Sequence, residues 1–483
     1  MTKQYEIGMI GLAVMGENLA RNMASRGYKV AGYDIDASRV KAVNHRFGQS
    51  NLQAFETLES FIHVLKKPRV VMMMIKAGKP VDETIAKLLP FLEKGDIIID
   101  GGNSLYKESM ERYQRLESLG IHFLGMGISG GEEGALRGPS IMPGGSMEAW
   151  NQVKPLFQSI AAKTVDGFPC CDWVGTDGAG HFVKMVHNGI EYGDLQLINE
   201  VYDVMKRILQ LSNPEMADLF KQWNQEELES YLIEITGDIL SYQDENGSYL
   251  VDSILDTAGQ KGTGKWTAIA SMEEGVPLSL ITEAVYARMI SAQKDQRIQA
   301  SIRYPKTRTS FTGDKQAFLK ALKDALYSAK ILSYAQGYLL LKKASETYSW
   351  NLNFGGIALL WQGGCIIRSV FLNRIKEAFT RNPNLENLLL DDYFHQEIVD
   401  RIQSLRDVLI QAIQHQIPTP SLSSALAYFD GYTSDTLPAN LLQAQRDYFG
   451  AHNYERIDQP RGIFFHTKWT TSSGDTASNP YQE

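Results

Sequence analysis

The chain is poor in the features that would send it out of the cell or into a membrane. Of its 483 residues only three are cysteine, Cys170, Cys171 and Cys365. That is too few for a disulfide framework and shows no metal-ligand spacing. Free cysteines of this kind are ordinarily just buried, the adjacent pair along a strand. The longest charge-free stretch, Thr347 to Ile367, is broken by Asn, Gln, Ser and several Gly, so it is no membrane span. The opening MTKQYEIGMIG enters a strand pattern at once and has no signal-peptide apolar core. A basic excess is missing too: 48 Lys and Arg stand against 56 Asp and Glu, a net charge of −8. That argues against a nucleic-acid surface, though a local cluster of cations could still hold a small anion. The expectation is a reducing, cytoplasmic setting, with no nucleic acid, no membrane and no metal.

What is present is ordinary for a globular protein, 43% hydrophobic and 22% charged. The length exceeds what one core usually fills, so two or three domains are expected. Through residue 177 the short apolar runs YEIGMI, KVAGYD, RVVMMMI, DIIIDGG and IHFLGMGI alternate with helical patterns. That alternation predicts a parallel α/β domain of Rossmann type. From 178 to 434 the strand runs stop and helical periodicity takes over, which predicts a large all-α domain. The glycine-rich VGTDGAG leads into it. Residues 435–483 read as a C-terminal segment whose end, TTSSGDTASNPYQE, is expected to be mobile.

The first strand runs into Gly11-Leu12-Ala13-Val14-Met15-Gly16 and a helix follows. This is a G-x-A-x-x-G form of the dinucleotide fingerprint. Gly11 permits the tight turn, the small Ala13 lets backbone approach a pyrophosphate, and Gly16 lets the helix pack closely. The helix N-terminus then offers N–H groups to the phosphates. Asp34, at the end of the second strand, stands where an acid binds the adenosine ribose hydroxyls, and it also suits a helix cap. With Asp36 nearby and only Arg39 as a cation, the local chemistry favours NAD over NADP.

The stretch HFVKMVHNGIEYG, His181–Gly193, holds the sharpest question. At helical spacing, Lys184, His187, Asn188, Glu191 and Tyr192 share one face, and Phe182, Val183, Met185, Val186 and Ile190 the other. A solvated face would explain the charges alone. A binding site would need every one of those groups.

Further stretches line up with this one: GGNS at 101–104, SGGEEGALRGPSIMPGG at 129–145, KGTGKW at 261–266 and PANLLQAQRDYFGAH at 438–452. With the helix HFVKMVHNGIEYGDLQLI, they closely resemble the 6-phosphogluconate dehydrogenases, the decarboxylating enzymes of the pentose phosphate pathway. The resemblance runs from the first strand to about Trp469. It implies oxidation of 6-phosphogluconate at C3, loss of CO₂ and release of ribulose 5-phosphate, with NADP or NAD as cofactor. Lys184 would be the base and Glu191 the acid. Asn103, Ser129, Gly130, Gly131, His187 and Asn188 would hold the sugar-acid hydroxyls and carboxylate. Tyr192, Lys261, Thr263 and Arg288 would hold the phosphate. Lys76, and again Asn103, would lie near the cofactor with the 11–16 turn and residues 34–36. Arg446 and His452 would reach the substrate from the other subunit of a homodimer. The stretch SAKILSYAQGYLLLKKA would echo the catalytic helix through an internal duplication.

One departure bears on the cofactor. Where most of the family carries Asn-Arg-Ser or Asn-Arg-Thr, this chain has Asp34-Ile35-Asp36, with isoleucine in the arginine's position. Two rival readings remain. A non-decarboxylating β-hydroxyacid dehydrogenase would share the fingerprint, the SGG turn and the lysine, but would not need Glu191, Lys261, Arg288 and Arg446. A catalytically silent dinucleotide-binding dimer would not need Lys184 or Glu191.

Overall fold

The computed structural model of the chain describes residues 4–48, 50–260, 262–306 and 310–470. Two compact units make it up, Met1–Leu426 and Ala427–Glu483. The first opens with seven strands: β1 (Ile7–Ile10), β2 (Val30–Tyr33), β3 (Leu52–Phe55), β4 (Val70–Met73), β5 (Ile97–Asp100), β6 (His122–Ser129) and β7 (Ser140–Gly145). Between and after them run α1 (Val14–Ser25), α2 (Ala37–Phe47), α3 (Leu58–His63), α4 (Lys79–Leu88), α5 (Tyr106–Ser118), α6 (Gly131–Arg137) and α7 (Met147–Ile160).

The sheet order is β3-β2-β1-β4-β5-β6-β7. Because the order reverses at β1, the chain leaves β1 and β4 in opposite directions and a crevice opens at their carboxyl ends, the usual place for a dinucleotide. β1 and β4 are apolar throughout, and β5 is so up to its last residue Asp100, because both faces of the sheet are covered. Ile97 and Ile99 of β5 enter one core with Leu19, Met23 and Trp150, while Ile98 enters the other with Phe61, Ile85 and Phe123.

The sheet is not wholly parallel, as the apolar runs predicted. β7 pairs antiparallel with β6 over Leu124–Ser129. Its sequence, SIMPGG, reads as a turn, because proline gives no ladder hydrogen bond and two glycines follow it. Proline is tolerated in such an edge strand. β3 also escaped the sequence reading, being only four residues long. The three cysteines are buried as expected, although Cys171 makes only an isolated bridge to Ile141 rather than lying in a strand.

The rest of the first unit is helical: α8 (Ala179–Arg207), α9 (Asn213–Trp223), α10 (Tyr231–Ser241), α11 (Thr263–Glu273), α12 (Ser279–Ser291), α13 (Lys294–Arg303), α14 (Lys315–Thr347), α15 (Phe354–Leu360), α16 (Phe371–Arg381) and α17 (Asp392–Gln414). α18 (Pro420–Tyr432) begins in this unit and runs past its boundary. Among the described residues no helix is long and apolar enough to cross a membrane.

α8 is the axis of the helical region. The segments HFVKMVHNGIEYG and LQLINEVYDVMKRIL are one helix of 29 residues, about 43 Å long at 1.5 Å per residue. It packs on β6 and β7 at one end and on α11, α12 and α14 along its length. Both of its stripes are therefore buried, and the polar one is no solvated face.

The second unit holds α19 (Ala439–Gly450) and a short antiparallel hairpin, β8 (Tyr454–Glu455) and β9 (Phe464–Phe465). The fully buried Asp447 ties them together by accepting hydrogen bonds from His466 Nδ1 at 2.8 Å, Thr467 N at 3.0 Å and Trp469 Nε1 at 2.8 Å. Most of the expected tail, residues 471–483, lies outside the described residues.

Candidate active site

The turn after β1 fits a dinucleotide. Gly11 has φ +91°, and a Cβ there would lie 2.5 Å from the Met74 carbonyl oxygen; a Cβ on Gly16 would lie 1.9 Å from the Gly11 carbonyl oxygen. Side chains are excluded at both positions, so the turn can close against its own helix. Ala13 is the N-cap of α1 and gives no side-chain cap. The first N–H groups of α1 stay open to an anion, as a pyrophosphate requires. Leu12 is buried, while Ala13 and Val14 are exposed and Met15 is half-buried.

Residues 34–36 form a compact acidic corner. Asp34 is buried, and its Oδ2 accepts from Leu12 N at 2.7 Å and its Oδ1 from Asp36 N at 2.9 Å. The expected ribose ligand thus also braces the glycine turn. Asp36 caps α2 by accepting from Ser38, and these bonds hold its carboxyl below the usual range. Arg39 lies 3.4 Å from Asp34 and 3.7 Å from Asp36. Ile35 is 89% exposed. Lys76 and Asn103 are exposed on the loops that follow β4 and β5.

Lys184 stands on the first half of α8 against β6. The approach is so close that a Cβ on Gly127 would lie 2.3 Å from Lys184 Cβ, so only glycine fits there. Lys184 is buried. Among the described residues its ammonium has no hydrogen-bond or ion-pair partner; burial lowers its pKa against the upward pull of Glu191 and Cys365. His187 is fully buried one turn on, its Nδ1 3.1 Å from Asn188 Oδ1 and its Nε2 3.4 Å from Ser129 Oγ. Burial, helped by Lys184, drives the His187 pKa well down. The ring is neutral at ordinary pH, so its 3.9 Å approach to Glu191 is a polar contact rather than an ion pair. Glu191 is half-buried. Gly130 and Gly131 turn the chain from β6 into α6 with φ +119° and +63°.

The same face continues to Tyr192, on whose ring the Arg288 guanidinium stacks 3.5 Å from the centroid. α11 starts beside it. Thr263 is buried in the first turn, after Gly262 with φ +98° and no side-chain cap, and Gly264 lies directly under the Tyr192 ring. Lys261 lies outside the described residues. Tyr192, Thr263 and Arg288 therefore converge, with an open helix N-terminus among them. Arg446 and His452 belong to the second unit: Arg446, on α19, donates to Gln443 Oε1 at 3.0 Å, and His452 follows the helix, its ring edge-on to Phe449.

Two contributors were missed from sequence. Cys365 lies near enough for its charge to couple to Lys184, but burial pushes its thiol up to about 12, so at ordinary pH it is a neutral neighbour. Gly127 admits the lysine. Nothing local marks Cys365, but the glycine alternation Gly125-Met126-Gly127 inside an apolar strand is a usable sign of close approach.

A dinucleotide turn followed by a buried lysine, without a partner among the described residues, on the first long helix after the sheet is the make-up of a nicotinamide-dependent oxidoreductase. Comparison with known proteins narrows this. Residues 6–175 match the NAD binding domain of 6-phosphogluconate dehydrogenase, and residues 180–469 match the 6-phosphogluconate dehydrogenase C-terminal domain. The decarboxylating 6-phosphogluconate dehydrogenase of Haemophilus influenzae is 54% identical over 482 residues, covering 100% of both chains. The human one is 53% identical over 482 residues, covering 99% of each. A Plasmodium falciparum 6-phosphogluconate dehydrogenase, solved in its apo form, with NADP+ and with 6-phosphogluconate, superposes with a TM-score of 0.93. It is 46% identical, and the match covers 96% of this chain and 100% of that one. The chain belongs to the family of decarboxylating 6-phosphogluconate dehydrogenases.

Proposed function

We propose that the chain catalyses the oxidative decarboxylation of 6-phosphogluconate to ribulose 5-phosphate and CO₂, as a cytoplasmic homodimer of the pentose phosphate pathway. One observation carries the reading: a lysine of lowered pKa, without a partner among the described residues, shares a helix face with a carboxylate two turns away.

Residues 11–16, Asp34 and Lys76 would hold the dinucleotide, which when bound supplies the acceptor for the C3 hydride. Lys184 is neutral often enough to take the C3 hydroxyl proton. As the C1–C2 bond breaks and CO₂ leaves, the Lys184 ammonium gives that proton to the C3 oxygen, where negative charge develops. Glu191 then protonates the carbon that becomes C1 of the product, while Lys184 takes the enol proton back. Neutral His187 orients Ser129 and Asn188 toward the sugar acid without adding a charge that would compete with Lys184. Asn103 and the Gly130-Gly131 turn line the same end. Tyr192, Thr263, Arg288 and Lys261 suit a phosphate dianion. Arg446 and His452 of a second copy would complete the site.

The acidic corner favours NAD. Arg39 is already matched by two carboxylates, and a 2′-phosphate would meet both. Initial rates of reduced-cofactor formation, with 6-phosphogluconate and NAD or NADP in parallel, test both readings. Faster turnover at low NAD is expected; none with either cofactor would overturn the function. Exchange of Asp34-Ile35-Asp36 for Asn-Arg-Ser should move kcat/KM toward NADP by about tenfold, the value of one charge-assisted hydrogen bond.

A further inference from the structure

The cluster at the carboxyl ends of β4 and β5 centres on one side chain that the mechanism does not use. Arg112, on α5, is 2% exposed. Its Nη2 donates to the Gly78 carbonyl oxygen at 3.2 Å, to Asp82 at 2.8 Å and to Glu108 at 3.0 Å. Nε donates to Asp82 at 2.9 Å, and Nη1 reaches Asp100 Oδ2 at 3.5 Å. Asp100 has no exposure at all. It in turn accepts from Gly102 N at 3.0 Å and from Ser104 Oγ at 2.6 Å.

These bonds end on two loops. Gly78 closes the loop after β4, which carries Lys76. Gly102 and Ser104 flank Asn103 on the loop after β5. A tie between α4 and α5 would need only Asp82, since Glu108 is on the same helix as Arg112. Replacing such an ion pair by apolar groups is often neutral or stabilising, so stability alone is a weak reason to bury a guanidinium among three carboxylates. Its planar fork of donors can hold several acceptors at fixed angles, which a lysine cannot do. Hydrogen bonding to Arg112 also keeps the Asp82 carboxyl low, so the clamp stays charged.

We propose that Arg112 is a positioning residue that locks the Lys76 loop and the Asn103 loop to each other, so that dinucleotide and sugar acid are presented in register. The inference rests on the proposed function for what the loops hold, but not for the coupling itself. In Arg112→Lys, amide exchange at 74–78 and 101–105 should accelerate together while β4 and β5 stay protected. The Kd for NAD and the KM for 6-phosphogluconate should each rise about tenfold, with kcat changed less, since misplacement of a binding group costs factors of this order. Glu108→Gln, which removes a carboxylate attached to neither loop, should leave both constants unchanged. Should Arg112→Lys fail to fold, Asp82→Asn reads the same coupling from a partly exposed partner, with both loops again loosening together. Faster exchange in only one loop, or a lowered Tm with both loops unchanged, would overturn the proposal. Absence of turnover in the unmodified protein would instead count against the proposed function, and the exchange data would still decide the coupling.

Discussion

Two buried lysines on two long helices face opposite fates. Lys184 on α8 has no hydrogen-bond or ion-pair partner among the described residues, and burial lowers its pKa. Lys330 on α14 donates to Asp194 Oδ2 at 2.6 Å. Its ammonium lies 4.9 Å from the Tyr334 ring centroid and 5.9 Å from that of Phe371. Tyr334 also donates to Asp194 at 3.2 Å. The difference is one carboxylate. With it, a buried ammonium is a structural tie between helices; without it, the amine is pushed toward the neutral form that can accept a proton. Sequence spacing treats the two lysines alike, since both sit in apolar helical stretches. Only the tertiary partner separates the proposed base from a rivet.

Breaking each site should therefore give opposite phenotypes. Lys184→Met should cut kcat by about 10²–10⁴-fold, the usual worth of a general base. Its Tm should hold or rise, because a buried amine with no partner among the described residues is replaced by an apolar chain of similar length. Lys330→Met should do the reverse. It strands Asp194, whose carboxyl burial already pushes up and whose Oδ1 has no partner among the described residues. A loss of about 3–5 kcal/mol in denaturant unfolding is expected, with kcat in the surviving folded fraction nearly unchanged. Equal losses of stability from both substitutions would erase the distinction.

The pH dependence sharpens it further. A lysine whose folded pKa is lowered costs stability at low pH and is relieved as pH rises through that pKa toward the ordinary 10.5. The same titration would create the proposed base. In the unmodified protein kcat/KM should climb with pH along a limb set below the ordinary lysine value, while stability rises over the same window. Lys184→Met should lack that stability component, and Lys330→Met should keep it. A rate limb that appears only near 10.5 would mean that burial does not tune Lys184.

How much of this could be read from the residues follows from the range of the interactions. The glycine turn at 11–16 and the stripe Lys184-His187-Asn188-Glu191-Tyr192 are local patterns, and the fold keeps both. β7 was invisible because Pro143 and its glycines imitate a turn, and only pairing with β6 makes them a strand. The burial of the apolar and polar faces of α8 alike depends on α14, more than a hundred residues away. The tie between Lys330 and Asp194 spans 136 residues, and Arg112 lies in a segment, KESMERYQRLESLG, that reads as a solvated helix. Long-range charge pairing leaves no period in the sequence, so it stays hidden until the chain folds.

A third buried charge on α8 tests whether backbone can replace an ion as partner. Glu200 is 2% exposed and accepts from Ser421 N and Leu422 N, both at 2.9 Å, at the start of α18, and from Gln196 at 2.9 Å. The helix N-terminus favours the carboxylate, but burial, with Glu283 adding repulsion, prevails and raises the pKa from 4.5 to about 7. An acid raised in the folded state holds its proton there after the unfolded chain has released it. Its contribution is thus full below pH 4.5 and is lost as pH rises through about 7. A shift of that size corresponds to about 3 kcal/mol, so unfolding free energy should fall by that order across the window. Glu200→Gln should flatten the fall while giving up one acceptor, worth about 1 kcal/mol at every pH. The two stability curves should then cross between pH 4.5 and 7, with the glutamine protein the more stable on the alkaline side. Parallel curves would mean that two backbone N–H groups fully offset the cost of burying a carboxylate.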